Sequence, residues 1–279
     1  MPSFTATHAN GQTSYCEIDN FTDPWAAPPP TLLIQHGFAR TSQFWYHWIP
    51  SLSRNFRIIR RDIRGHGRSS FPSPDSPYPY TVSTILSEIL ETLDQAGVTR
   101  AHLLGESTSG IVSMLFAAAH PSRVASLTLC ASPTHLPPAA QELFAFGYED
   151  WPGACRALGS RGWAQALAAV GGTVAGEDPA YLSWWLDEVA KSQAEGLAGY
   201  AEFLGALDAR PVLAGIRTPT LILAPTRSAA VPLEASRWLK GQIEGARLVE
   251  VDGKGHEIYA ECAELCQQEV LKFLKEVEG

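Results

Sequence analysis

The residues with the clearest chemical potential lie in the run Leu103-Leu104-Gly105-Glu106-Ser107-Thr108-Ser109-Gly110-Ile111. An apolar strand pattern ends, a serine follows, and an apolar helical pattern begins. Small residues stand two before and two after Ser107, at Gly105 and Ser109. That is the G-x-S-x-G spacing of a nucleophile elbow, with serine in the last place. A strand-to-helix reversal this sharp crowds the backbone, so only small side chains fit beside the central residue. The hydroxyl is thereby pushed out over the sheet edge. The first helical N–H groups point at the same spot and favour developing negative charge there. A free serine is a weak nucleophile and needs a base within hydrogen-bond reach. Eight histidines are available. His8 lies near the N-terminus, where chains are often poorly ordered. His36 and His66 sit in HG and GHG turns, His47 on a helix among aromatics, His102 at a strand start, His120 at a helix end, and His135 at the start of a helical stretch. His256 lies in a Gly-rich turn after the last strand pattern.

The elements that must hold these groups alternate between strand and helix. Strand patterns cover Gln12 to Asp19, Thr31 to Gln35, Phe56 to Arg61, Ala101 to Leu104, Val124 to Cys130, Thr220 to Ala224 and Arg247 to Val251. Helical spacing covers Ser42 to Arg54, Thr81 to Ala96, Thr108 to Ala119, a stretch from Leu233, and Tyr259 to about Glu276. Pro24 to Pro30 and Phe71 to Pro79 are Pro-rich loops. Strands joined by helices predict a mostly parallel sheet covered on both faces. From about Pro133 to Pro211 the rhythm breaks into helical patterns rich in large aromatics, among them Trp151, Trp163, Trp184, Trp185 and Tyr200. An insertion at the carboxyl edge of such a sheet lies over its ligand crevice, so residues 133–211 are read as a helical lid on a core of residues 1–132 and 212–279.

Composition removes several function classes. The 279 residues are 45% hydrophobic, too apolar for a disordered chain. The net charge of −8, without a Lys/Arg run, argues against a nucleic-acid partner. No segment approaches the roughly 20 apolar residues that span a bilayer, and the N-terminus lacks a signal pattern, so no membrane partner and a cytoplasmic location are expected. The five cysteines, Cys16, Cys130, Cys155, Cys262 and Cys266, have no zinc spacing and read as structural thiols; Cys262 and Cys266 would sit one turn apart on a helix. The GHGRSS run of residues 65–70 lacks the lysine of a phosphate loop and dinucleotide spacing. Neither metal nor cofactor is expected, and a homodimer is left open.

Further pieces accompany the elbow. His36-Gly37-Phe38 follows a short strand, Asp62-Ile63-Arg64-Gly65-His66-Gly67-Arg68-Ser69 follows the next, Pro219 opens the strand at Thr220, and Gly255-His256 precedes the last helix. Together these resemble the α/β-hydrolase family over about residues 10–276. The helical insertion resembles that of lid-bearing esterases, lactonases and carbon–carbon bond hydrolases. The run HGFARTSQFWYHW with RDIRGHGRSS is especially similar to enol-lactonase-like members. The resemblance implies an α/β-hydrolase sheet of eight strands, mostly parallel, with helices on both faces and an inserted helical lid. It also implies Ser107 as nucleophile, His256 as base, and backbone N–H groups of Phe38 and Thr108 as the oxyanion hole.

The match fails at the acid that orients the histidine. The position expected after the strand at Thr220 is Ser228, and the alternative after Cys130 reads Ala131, Ser132, Pro133 and Thr134. Three readings follow: Ser228 serves through its hydroxyl, a carboxylate from Glu106, Asp208 or Asp252 reaches the ring, or hydrolysis has been lost. Glu257 reads as a helix N-terminal carboxylate. The resemblance implies a serine hydrolase acting on an ester or lactone of an apolar small molecule, with aromatic or macrocyclic groups suited to the lid tryptophans. Trp184 is the substrate-binding candidate; Trp185 points about 100° away on a helix. Arg40 and Arg227 are the nearest cations by motif for an anionic substrate. A carbon–carbon bond hydrolase or lyase, and a non-catalytic hydrolase-like binding protein, are the alternatives.

Overall fold

Short, mostly apolar runs become the inner strands. The computed structural model describes residues 2–73, 75, 78–175 and 178–279. Among the described residues, β1 (Ser3–Thr7), β2 (Thr13–Asp19), β3 (Thr31–Gln35), β4 (Arg57–Arg61), β5 (Ala101–Glu106), β6 (Val124–Cys130), β7 (Thr220–Pro225) and β8 (Arg247–Val251) form one 8-stranded sheet, ordered β1-β2-β4-β3-β5-β6-β7-β8. β2 runs antiparallel to β1 and β4, and the remaining neighbours are parallel. β3, β5, β6 and β7 are buried throughout, as strands covered on both faces must be, whereas edge strand β8 is partly exposed.

The covering helices are α1 (Ile49–Leu52), α2 (Val82–Gln95), α3 (Thr108–Ala119), α4 (Pro138–Ala145), α5 (Trp151–Ala168), α6 (Pro179–Val189), α7 (Ala194–Gly205), α8 (Leu233–Gln242), α9 (Ile258–Glu261) and α10 (Ala263–Glu278). Four of them, α4 to α7, follow one another between β6 and β7 and form the helical insertion. α2 shows why the apolar spacing works. Thr81 and Thr84 exchange capping bonds at its start, and Ile85, Leu86, Ile89 and Leu93 turn one face into the core.

Several sequence expectations need correction. β1 is not among the strand patterns above; it alternates, with Phe4 and Ala6 turned inward between exposed Ser3, Thr5 and Thr7, but over only five residues. The helical spacing from Ser42 resolves into a tight 3₁₀ turn over Ser42–Trp48 before α1, with the Gln43 N–H donated to Thr41 Oγ1. The last helix is interrupted at Cys262, which caps α10; Cys262 and Cys266 do sit one turn apart, with the Cys266 N–H donated to Cys262 O at 3.1 Å, both are free thiols, and Cys266 Sγ donates to the carbonyl of Ile258. His8 is not a loose end. It is buried, with Nδ1 2.6 Å from Glu91 Oε2 and Nε2 2.9 Å from Ser14 Oγ. In the second Pro-rich loop, Pro74 and Pro77 lie outside the described residues. Among the described residues, no helix is long and apolar enough to cross a membrane.

Candidate active site

Ser107 ends β5 and starts α3 with φ 52° and ψ −126°. This is a conformation that L-residues rarely adopt and that costs on the order of 1–3 kcal/mol unless the surroundings impose it. The surroundings here do so. The Ser107 N–H donates to Cys130 O at 2.8 Å, and the Ser109 hydroxyl donates to His36 O at 2.5 Å. The serine in the last elbow position is thus a tether to the loop after β3. That loop approaches so closely that a Cβ on Gly37 would stand 2.9 Å from Ser107 Cβ and 2.5 Å from Glu106 Oε2. Only glycine fits there.

His256 reaches Ser107 from the far end of the chain. Its Nε2 lies 2.9 Å from Ser107 Oγ. The segment beneath it is held through Gly172 O, which accepts the N–H groups of both His256 (3.0 Å) and Ala229 (3.1 Å). Burial pushes the imidazole down to about 4, with the Arg40 guanidinium acting in the same direction and Glu257 opposing. The ring is therefore neutral near pH 7, as a base must be.

The partner on the other ring nitrogen is Ser228, whose Oγ lies 2.9 Å from Nδ1. The same oxygen accepts N–H groups from Ala230 (3.1 Å) and Val231 (3.0 Å). A neutral ring that accepts a proton at Nε2 carries its own hydrogen at Nδ1, so Ser228 Oγ accepts Nδ1–H beside the two backbone N–H groups. A carboxylate would have a second oxygen and a charge to offer; this hydroxyl has neither. Of the other candidates, Asp252 is 82% exposed and bonded to Arg227 and Thr226, and Asp208 pairs with Arg210. The structure does not bring either to the histidine, because each is held at the surface by a nearer arginine. Arg227, held by Asp252 and Gly253 O, does not face the site either. Glu106 is inside. It is buried, its Oε2 accepts the Gly37 N–H at 2.5 Å, and its Oε1 lies 4.0 Å from His256 Nε2. Burial pushes this carboxyl up to about 7; Arg40 and the Gly37 N–H oppose the rise and Glu257 reinforces it.

Of the two oxyanion candidates, the Phe38 N–H donates to Thr108 Oγ1 at 3.2 Å. The Thr108 N–H belongs to the first turn of α3, where helical partners are lacking. Both flank a narrow, partly open chamber of about 30 Å³ walled by Phe38, Phe144, Trp151 and Trp163, with Glu106 and Arg40 among its polar groups.

Two sequence readings change at this site. Trp184 does not line the chamber. It is 38% exposed, packs on Phe44 and faces a separate outer groove, while Trp151 and Trp163 take the inner position. Helical spacing could not reveal this pair, because α5 is kinked at Gly159 (φ 67°), which breaks the register between them. Glu257 stands at the N-terminal end of α9, as its sequence reading has it, but its role goes beyond the helix end. It is fully buried and receives Arg40 Nε (2.8 Å), Trp185 Nε1 (2.9 Å), Tyr181 OH (3.1 Å), Tyr259 OH (3.2 Å) and the Ala175 N–H (2.9 Å). Burial alone would push the carboxyl up and oppose its ionisation; the Arg40 charge and these donors outweigh it and hold the carboxyl below its usual range. The one signal in the sequence was its place directly after His256. Among the described residues no group of three or more His, Cys, Asp or Glu side chains could hold a metal ion.

Known proteins share this arrangement of chain. The solved enol-lactonase from Burkholderia xenovorans LB400 is 26% identical, with a TM-score of 0.85 over 98% of this chain and 100% of that one. A hydrolase from Pseudomonas aeruginosa PA01 is 29% identical, with a TM-score of 0.78 over 98% of each chain. A protein of Azorhizobium caulinodans, provisionally named carbamate hydrolase RutD, is 28% identical over 97% of this chain and 98% of its own. A family model described as TAP-like protein matches residues 206–278, and one described as alpha/beta hydrolase fold matches residues 30–170, half of the chain. With the elbow, the sheet order and this match in agreement, the chain belongs to the α/β-hydrolase family.

Proposed function

We propose that the protein is a serine hydrolase that cleaves an ester or lactone of a compact acid through an acyl-enzyme on Ser107. The observation that carries this reading is the 2.9 Å contact between Ser107 Oγ and His256 Nε2 at a narrow chamber lined by aromatic rings. The Ser107 proton passes to Nε2 as Oγ attacks the carbonyl. The carbonyl electron pair moves to oxygen, which accepts the N–H groups of Phe38 and Thr108, replacing the long Phe38–Thr108 bond. The imidazolium returns its proton to the leaving oxygen, and water activated by the same ring releases the acid. Ser228 orients the ring by accepting Nδ1–H at its hydroxyl oxygen, which leaves the Nε2 lone pair free for the Ser107 proton, and Glu106, from the Nε2 side, balances the imidazolium charge that a hydroxyl cannot. In this reading residues 133–211 act as a lid on a core of residues 1–132 and 212–279.

The names of the similar proteins, enol-lactonase and carbamate hydrolase, support acyl transfer to water as the reaction class. The small chamber favours a compact acyl group over a macrocycle. A fluorophosphonate probe tests the reading. Wild type should be labelled and Ser107→Ala should not, and failure to label wild type would sink the serine mechanism. A panel of short esters, lactones and carbamates then ranks the substrate class.

A further inference from the structure

The charges that line the chamber do not cancel. Arg40 is committed to Glu257, through Nε at 2.8 Å and a second nitrogen at 2.6 Å, and a third donor reaches Phe38 O. Its guanidinium lies over the Trp185 ring at 4.5 Å. That cation is therefore already matched by one carboxylate. Glu106 is not matched. Among the described residues it makes no ion pair with lysine or arginine, one oxygen accepts the Gly37 N–H, and the other faces the imidazole at 4.0 Å. Around it stand four aromatic rings in close mutual contact. Phe38 lies 4.4 Å from Trp151 and 5.1 Å from Trp163, and Phe144 lies 5.0 Å from Trp151. Aromatic faces carry negative quadrupole density and attract a cation set among them. A buried carboxylate beside such walls gains a partner when a cation enters and meets repulsion when an anion does.

We infer that the chamber selects substrates bearing a compact ammonium group close to the scissile carbonyl, with Glu106 accepting its N–H groups and the ring of aromatics surrounding it. The volume of about 30 Å³ limits that group to a few heavy atoms. An anionic acid of similar size is disfavoured, because Arg40 has no uncompensated charge to offer. This specificity rests on the hydrolase reading above and adds the substrate class to it. Its pH dependence follows the groups that face Glu106. The Arg40 charge and the Gly37 N–H favour ionisation, Glu257 and burial oppose it, and neighbouring His256, Tyr259 and Cys130 are neutral near pH 7. Ionisation falls at about 7, so discrimination strengthens above that pH and fades below it.

The test is a set of three near-isosteric methyl esters at about pH 8, where an alkylammonium stays charged and Glu106 is ionised. They are β-alanine methyl ester, methyl butyrate and monomethyl succinate. Wild type should favour the ammonium ester over the neutral one by roughly tenfold in kcat/KM, and over the anionic one by more. Glu106→Gln should lower all three rates and collapse the spread. Glu106→Asp, which keeps the charge, should keep the order. Equal rates, or preference for the succinate ester by wild type, would overturn the inference while leaving the hydrolase reading intact. If no ester is turned over and no probe labels Ser107, the hydrolase reading has failed. Ethylammonium is then titrated against the intrinsic tryptophan fluorescence. Saturable quenching in wild type that is absent in Glu106→Gln supports the cation site, and its absence in wild type overturns it.

Discussion

The elbow and the helical insertion reach the same chamber by different physical means. At the elbow the backbone does the positioning. β5 and α3 meet in one strained residue, and the loop after β3 is clamped to it by the Ser109 hydroxyl and by a contact that tolerates only Gly37. The insertion has no strand of its own. Much of its attachment to the core runs through one buried carboxylate, Glu257, which collects Trp185, Tyr181 and Ala175 from the insertion and Arg40 from the core. The first arrangement fixes atoms to within a hydrogen bond and leaves little to change. The second is a set of side-chain and carbonyl contacts under an aromatic wall, with Glu188, Ser192 and the Gly172 carbonyl joining Glu257 in holding the insertion to the core. The lesson is that chemistry here is built on backbone geometry, and specificity on side-chain packing.

That contrast can be broken or sharpened in four ways. The largest effect is expected at the elbow. Ser107→Ala should lower turnover by about ten-thousandfold or more with little change in thermal stability; measured activity near wild type would remove the backbone-positioned nucleophile from the account. Next comes the insertion. Glu257→Gln leaves Arg40 buried and unpaired and should cost roughly 3–5 kcal/mol of stability in urea unfolding. A change under about 1 kcal/mol would mean that the insertion docks by its apolar surface instead.

A smaller effect concerns proton traffic. Glu106 is pushed up to about 7, so it is neutral below that pH and charged above it. The rate of fluorophosphonate labelling should rise as pH passes upward through about 7, and Glu106→Gln should abolish that step. A wild-type rise lying near 4 instead would assign it to His256 alone. On the opposite ring nitrogen, Ser228→Asp supplies the missing carboxylate in a place that already faces two backbone donors, and should raise the labelling rate by about tenfold. The same change should restore part of the rate lost in Glu106→Gln. A fall in both backgrounds would show that the hydroxyl is the group the site requires. Asp252→Asn, at the surface, serves as the comparison and should change stability by less than about 0.5 kcal/mol.

Much of this architecture was legible in the residues themselves. Strands such as Val124 to Cys130 are mostly apolar because both faces are covered, and the boundaries of α3 follow from the switch between periods at Ser107. His256 became the candidate base through the resemblance of its Gly-rich turn to the family's histidine position. β1 alternates only over Phe4 and Ala6 between polar neighbours, too short a run to stand out. Trp184, on α6, packs on Phe44 away from the chamber, a placement set by contacts between segments and not by its helical spacing.

By itself, then, the order of residue types determined the elements, their alternation and the serine held at a sharp turn, since each depends on local backbone preference and on which faces are apolar. Only the tertiary structure decided which groups meet across the chain. It brought Ser228 to His256 while leaving Asp208 and Asp252 with surface arginines, set Glu106 against the chamber, and made Glu257 the partner of Arg40. Those outcomes depend on charge pairing and desolvation between segments far apart in sequence, and no local pattern encodes them.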